Sequence, residues 1–338
     1  MSVRMAMVLL LATAAPGVVS SAAAQNRASD VWEVPRTPDG RPDLQGNWTN
    51  QSLTPLQRRA GQGPVFTPAQ VAELEQGYVE RIVQGAEPSD PDRPPPPPQS
   101  SIPAADSYNN VFFETGSRVA VVHGEPRASL ITRPSDGRIP ELTAEAQGRR
   151  QAEREAGSPF SQYDHPELRP LAERCLTSYG SPGGPPMLPN GGYNSNYTIV
   201  QTPDHMMIMT EMVHDTRIIR IGSGPQLPPH IRPWFGDSWG HWEGDVLVVE
   251  TTNVHPLQPY SSPEMRVIER FSRMSEDAIL YEFTVHDAAT YAEPWGGQVP
   301  MTAMHDHLYE YACHEGNYAL SGVLSGARYE ESVEASGR

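Results

Sequence analysis

The chain has 338 residues, a net charge of −16 and no lysine; all 25 basic residues are arginine. Without a lysine amine there is no Schiff-base chemistry, no covalently held pyridoxal phosphate and no Walker A loop, and no G-x-G-x-x-G or G-x-S-x-G pattern occurs. The acid excess sets the chain against nucleic acid and anionic membrane surfaces.

In chain order, residues 1–24 read as a secretory signal peptide. Arg4 precedes an apolar run too short to span a bilayer, and the run ends in Ala22-x-Ala24. Residues 25–338 are then expected to be periplasmic or secreted, without a transmembrane segment. They should form a single domain. TPAQVAELEQGYVERIVQ (67–84) predicts a helix capped by Thr67, with Pro68 in its first turn. A proline-rich loop follows at 87–103, a second helix at 142–156 and a Gly/Pro-rich loop at 180–193. The stretch from about 55 to 190 reads as insertions that decorate a sheet.

From residue 194 the pattern is β. NYTIVQTPDHMMIMTEM predicts a hairpin turning at Pro203-Asp204, and DSWGHWEGDVLVVETTNV another turning at Glu243-Gly244-Asp245. In the next pair, Val267, Glu269 and Phe271 alternate with Ile268 and Arg270. Ile279, Tyr281, Phe283 and Val285 then alternate with Glu282, Thr284 and His286. HLYEYAC (307–313) reads as the last strand and ALSGVLSGARYE as a closing helix. The expected fold is mainly β: an antiparallel, lipocalin-like β-barrel with long Pro/Gly-rich loops and a few peripheral helices. Such a barrel is wide enough for one small ligand.

YACHEGNY (311–318) places one of only two cysteines beside His314 and Glu315. In an exported protein an even pair predicts a Cys175–Cys313 disulfide. Closing so long a loop contributes roughly 4–5 kcal/mol in the chain-entropy model. A Cys313–His314 nucleophilic pair is disfavoured, because neighbours on a strand point to opposite faces.

Two resemblances bear on the fold. Gly46-x-Trp48 in PDLQGNWTN resembles the lipocalin G-x-W at the first barrel strand. RTPDGRPDLQGNWT, WFGDSWGHWEGDVLVVETTNV and YEYACHEGNY resemble a large, functionally unassigned family of secreted bacterial proteins. That resemblance implies export and a shared fold, and it implies no chemistry. His214, Glu310, His314 and Glu315 fall inside the shared motifs.

On an extended last strand, Glu310 and His314 share a face about 13 Å apart. If MMIMTEMVHDTRIIRI stays extended, His214 joins Met206, Ile208, Met212 and Ile218 on an apolar wall, while Glu211, Asp215 and Arg217 face the other way and pair. A turn at His214-Asp215 would break that parity. A histidine in an apolar pocket stays neutral and available as a base. His305-x-His307 offers a divalent metal site as an alternative to a cofactor-free protein. Trp234, Trp242, Tyr291 and Trp295, with Tyr197, are candidates for stacking on a substrate ring at a barrel mouth.

The expected function is action on a hydrophobic or aromatic small molecule without an organic cofactor. His214 or His314 would move a proton, Glu310 or Asp215 would orient it and Arg217 would stabilise an anion, in a lyase, isomerase or hydrolase type of reaction. The alternatives are a lipocalin-like binding protein without turnover and a carbohydrate-binding or carbohydrate-active module built on the loop tryptophans.

Overall fold

The computed structural model describes residues 32–86, 92, 116–178, 183–189, 193–258 and 262–337. The expected signal peptide, nearly all of the proline-rich loop and residues 180–182 and 190–192 of the second loop lie outside the described residues. Val34–Arg338 gather into one compact unit.

The strands are β1 (Gly46–Thr49), β2 (Val121–Val122), β3 (Glu125–Pro126), β4 (Ile131–Arg133), β5 (Asn196–Gln201), β6 (His205–Thr210), β7 (Thr216–Ile221), β8 (Asp237–Glu243), β9 (Val246–Thr252), β10 (Arg266–Ser275), β11 (Ala278–His286) and β12 (Trp295–Met304). Three α-helices accompany them among the described residues: α1 (Pro68–Gly85), α2 (Ala144–Ala156) and α3 (Ala319–Ala335). β1 and β5 to β12 pair in succession, and β1 pairs back onto β12, which closes a nine-stranded barrel among the described residues. α1, α2 and β2 to β4 all lie between β1 and β5 in the chain. The Gly46-x-Trp48 motif forms the first barrel strand.

Alternation builds the core. Val267, Phe271, Ile279, Tyr281 and Val285 are fully buried inside the barrel, along with Trp48, Ile199, Ile208, Val249, Val299 and Met301. Phe271, Tyr281, Phe283 and Trp295 form a continuous aromatic row with ring centroids 5.1, 5.8 and 5.6 Å apart, a spacing suited to ring–ring attraction.

Two expectations are corrected. The sheet is not purely antiparallel: β7 and β8 run parallel, paired through Arg220–Trp239 and Ile221–Gly240. The closing strand is β12, not 307–313; residues 305–318 are irregular, apart from a single parallel bridge between Met212 and Tyr311. β12 carries two glycines because the backbone passes very close there. A Cβ on Gly296 would sit 2.1 Å from the Phe283 carbonyl oxygen, and one on Gly297 2.3 Å from that of Leu130. Those glycines pair with β4, while Thr302–Met304 pair with β1. Pro300, which has no N–H to donate, falls between the two pairings and is tolerated there.

One seam of the closed barrel is short. β7 and β8 are joined through only two residue pairs, at the C-terminal end of β7 and the middle of β8. The candidate site lies over this seam.

Candidate functional site

β6 and β7 do not form one extended run. They are joined by a tight turn in which Thr210 N–H donates to the Asp215 carbonyl at 2.9 Å, and Asp215 N–H to that of Met212 at 3.4 Å. Val213 and His214 both take positive φ, +59° and +54°. This is the pattern of a hairpin turn that favours Asn-Gly. A β-branched residue such as Val213 is costly there, and such strain gathers at functional positions.

The turn breaks the expected parity. His214 is exposed at the hairpin tip rather than set in an apolar wall, and Ile218 faces outward. Arg217 faces inward and is fully buried, and its partner is neither Asp215 nor Glu211. Inside the barrel its guanidinium donates to both carboxylate oxygens of Glu269, one at 2.9 Å, to the Ser238 hydroxyl at 3.2 Å and to the Thr251 hydroxyl at 2.7 Å. Burial works against the Arg217 charge, but the Glu269 carboxylate outweighs it and holds the guanidinium ionised. The Tyr281 hydroxyl donates to Glu269 at 2.9 Å and accepts from Met187 N–H at 2.9 Å. Burial and the Glu269 carboxylate push its phenol well above the ordinary tyrosine range.

Outside the barrel, a cleft of about 740 Å³ is lined by residues of β7 and by Asp237 and Ser238 at the start of β8. Leu171, Leu176 and Thr177 form one wall, and Leu227, Pro233, Trp234 and Phe235 the other. The outer residues of β7 (Thr216, Ile218 and Arg220) make the floor, and His214 and Asp215 line the cleft from the turn. Asp215 is half-buried; its carboxylate accepts the Ser178 N–H at 3.2 Å. Desolvation raises its carboxyl above the usual carboxylate range. Arg220 is held by Asp237 and lies over the Trp239 ring, 4.0 Å from its centre.

His214 Nε2 lies 3.7 Å from a carboxylate oxygen of Glu310. Glu310 arrives there through the Met212–Tyr311 bridge next to it in sequence. Cys313 is joined to Cys175, with an S–S distance of 2.08 Å. The disulfide therefore links the two segments that grip the hairpin turn, 175–178 on Asp215 and 310–313 on Met212 and His214.

The remaining candidates are placed elsewhere. His314 is exposed beyond Cys313; its backbone carbonyl accepts the Asn317 N–H at 3.3 Å, and it lines neither the cleft nor the His214–Glu310 pair. His305 and His307 are exposed on irregular chain rather than on one strand face, and no metal-holding cluster of His, Cys, Asp or Glu occurs among the described residues. Trp295, Tyr197 and Tyr291 are 0, 0 and 3% exposed, so they are core residues and not rings at a mouth. Trp242 packs on the core beneath Arg41. Of the five aromatic candidates, Trp234 alone lines the cleft.

Sequence reasoning missed Glu269 as the Arg217 partner. The signal was present, since Glu269 is in phase with Val267 and Phe271, both of which are buried. It also missed Ser178 and the second wall of the cleft, which come together only through the fold.

The architecture is thus a closed, mixed β-barrel with a filled polar and aromatic interior and a ligand-sized cleft on its outer wall. No family model, no curated protein and no solved structure matches this chain.

Proposed function

We propose that the protein is exported and binds a hydrophobic or aromatic small molecule in the outer cleft, where His214 moves a proton on it. The reaction would be of the lyase, isomerase or hydrolase type, with Glu310 orienting His214. One observation carries this reading: a strained turn sets His214 and a half-buried carboxylate, Asp215, at a cleft that also presents Leu171, Leu176, Ile218, Leu227, Trp234 and Phe235. Convergent polar groups on an apolar cleft are the usual form of a small-molecule site. The disulfide supports an oxidising compartment. Arg217 is not part of the proposed chemistry, because Glu269 already occupies its guanidinium.

A second reading is ligand binding at the same cleft without turnover. It is supported by the exposure of both His214 and Glu310, which leaves the pair in water. A panel of aromatic and aliphatic compounds incubated with wild type and His214→Gln separates the two. Proton transfer by His214 predicts turnover that falls by about 10²–10⁴-fold in the variant. Binding unchanged by the substitution, with no turnover, selects the second reading. No binding and no turnover overturns both.

A further inference from the structure

We propose that the cleft selects hydrophobic molecules carrying a protonated amine, and that Asp215 is the partner of the ammonium group. This rests on the reading of the cleft as a ligand site.

The charges lining the cleft point one way. Arg217 is matched by Glu269 and Arg220 by Asp237. His205 has Asp204 at 3.1 Å, and His214 has Glu310 at 3.7 Å. Every cationic or protonatable side chain of the cleft therefore already faces a carboxylate. Asp215 is different. Its carboxylate is met by Ser178, through the backbone N–H and the hydroxyl. Among the described residues no side chain forms an ion pair with it; His214, next in sequence, acts on it only through its field. A ligand carboxylate entering here would meet Asp215 and Asp237 without a free cation to receive it. An ammonium group would instead supply the one counter-charge that is missing, and it would gain more there than in bulk water because Asp215 is half-buried.

The rest of the cleft fits the body of such a molecule. Leu176 and Ile218 line it and are each more than half exposed, at 53 and 51%. Apolar side chains left open in a concave site are surface that a ligand covers. Trp234 and Phe235 on the facing wall add aromatic surface for the body of the ligand. The same walls would serve a neutral or anionic molecule equally well, so the preference for an amine comes from Asp215.

Three indole compounds that differ only in their head group provide the test: tryptamine, tryptophol and indole-3-propionate. Dissociation constants are measured by calorimetry on the full exported chain, with octylamine, octanol and octanoate as a second set. The expected result is that each amine binds at least about tenfold more tightly than its neutral and anionic counterparts. Asp215→Asn keeps an acceptor for Ser178; it should abolish the amine preference while tryptophol binds as before. Amine selectivity that survives in Asp215→Asn, in protein with wild-type circular dichroism, overturns the assignment of Asp215. Equal binding of the three head groups, or a preference for the anion, overturns amine selection and leaves the cleft as a binding site. If neither set binds at all, the cleft reading fails with it.

Discussion

His214 and Glu310 meet at 3.7 Å although they belong to segments joined by only one backbone bridge, Met212 to Tyr311. The contact depends on a clasp. The hairpin tip at 213–214 is held on one side by Ser178 against Asp215, and on the other by Tyr311 against Met212. Cys175 and Cys313 join the two holding segments covalently.

Because both His214 and Glu310 are well exposed, their pairing contributes little to stability. Glu310→Gln is therefore expected to melt within about 1 °C of wild type, as a pair worth only tenths of a kcal/mol implies. If Glu310 orients His214, the same substitution lowers turnover or changes its pH profile. A large fall in melting temperature would show that Glu310 holds structure instead.

The disulfide should matter to the clasp more than to the barrel. Cys175→Ala with Cys313→Ala removes loop-closure stabilisation of roughly 4–5 kcal/mol at most. Native-state hydrogen exchange should then speed up at 175–178 and 310–318, with the amides of β9, β10 and β11 still protected. Uniform loss of protection across the barrel would contradict this division.

Much of the barrel is readable from residue type alone, and the reasons are specific. The β10–β11 hairpin is legible because the inward positions of 267–271 and 279–285 are apolar or aromatic except Glu269. The β5–β6 and β8–β9 turns are legible because Pro203-Asp204 and Glu243-Gly244-Asp245 carry turn chemistry. β12 is hidden because Gly296, Gly297 and Pro300 speak against a strand, and their tolerance depends on β4, β11 and β1 lying beside them. With β12 hidden, HLYEYAC takes its place in the reading. Val213-His214 carries no turn signature, so the hairpin tip passes for strand and the parity of Arg217 is reversed. The cleft could not be read at all, since its walls come from 171–177 and 227–235 and meet only across β7.

Asp215 ties stability to pH. Burial raises its carboxyl, so the folded protein holds the proton more tightly than the unfolded chain. For an acid shifted upward, stability is greatest below the unfolded value of about 3.9 and falls as pH rises through the folded value. Asp215→Asn removes that loss. It should melt higher than wild type at pH 7, with the gap closing as pH falls toward about 3.5. A gap that is unchanged between pH 3.5 and 7 would show that Asp215 does not titrate in this way.

Inside the barrel, Glu269→Gln leaves the buried Arg217 charge uncompensated. A loss of about 3–5 kcal/mol in urea unfolding is expected for breaking such a pair. Replacing both residues, as Arg217→Met with Glu269→Leu, should recover much of it. A single substitution costing under about 1 kcal/mol would mean that the pair is not desolvated as described.

Where a bound molecule sits decides whether the outer cleft is the ligand site. Methyl NMR of Leu, Ile and Met residues, recorded while an aromatic compound that binds is titrated in, distinguishes the outer cleft from the barrel interior. A ligand in the outer cleft shifts Leu171, Leu176, Ile218 and Leu227 and leaves Ile199, Ile208 and Met301 unmoved, which is the expected result. Shifts centred on Ile199, Ile208 and Met301 would place the ligand inside the barrel and contradict it.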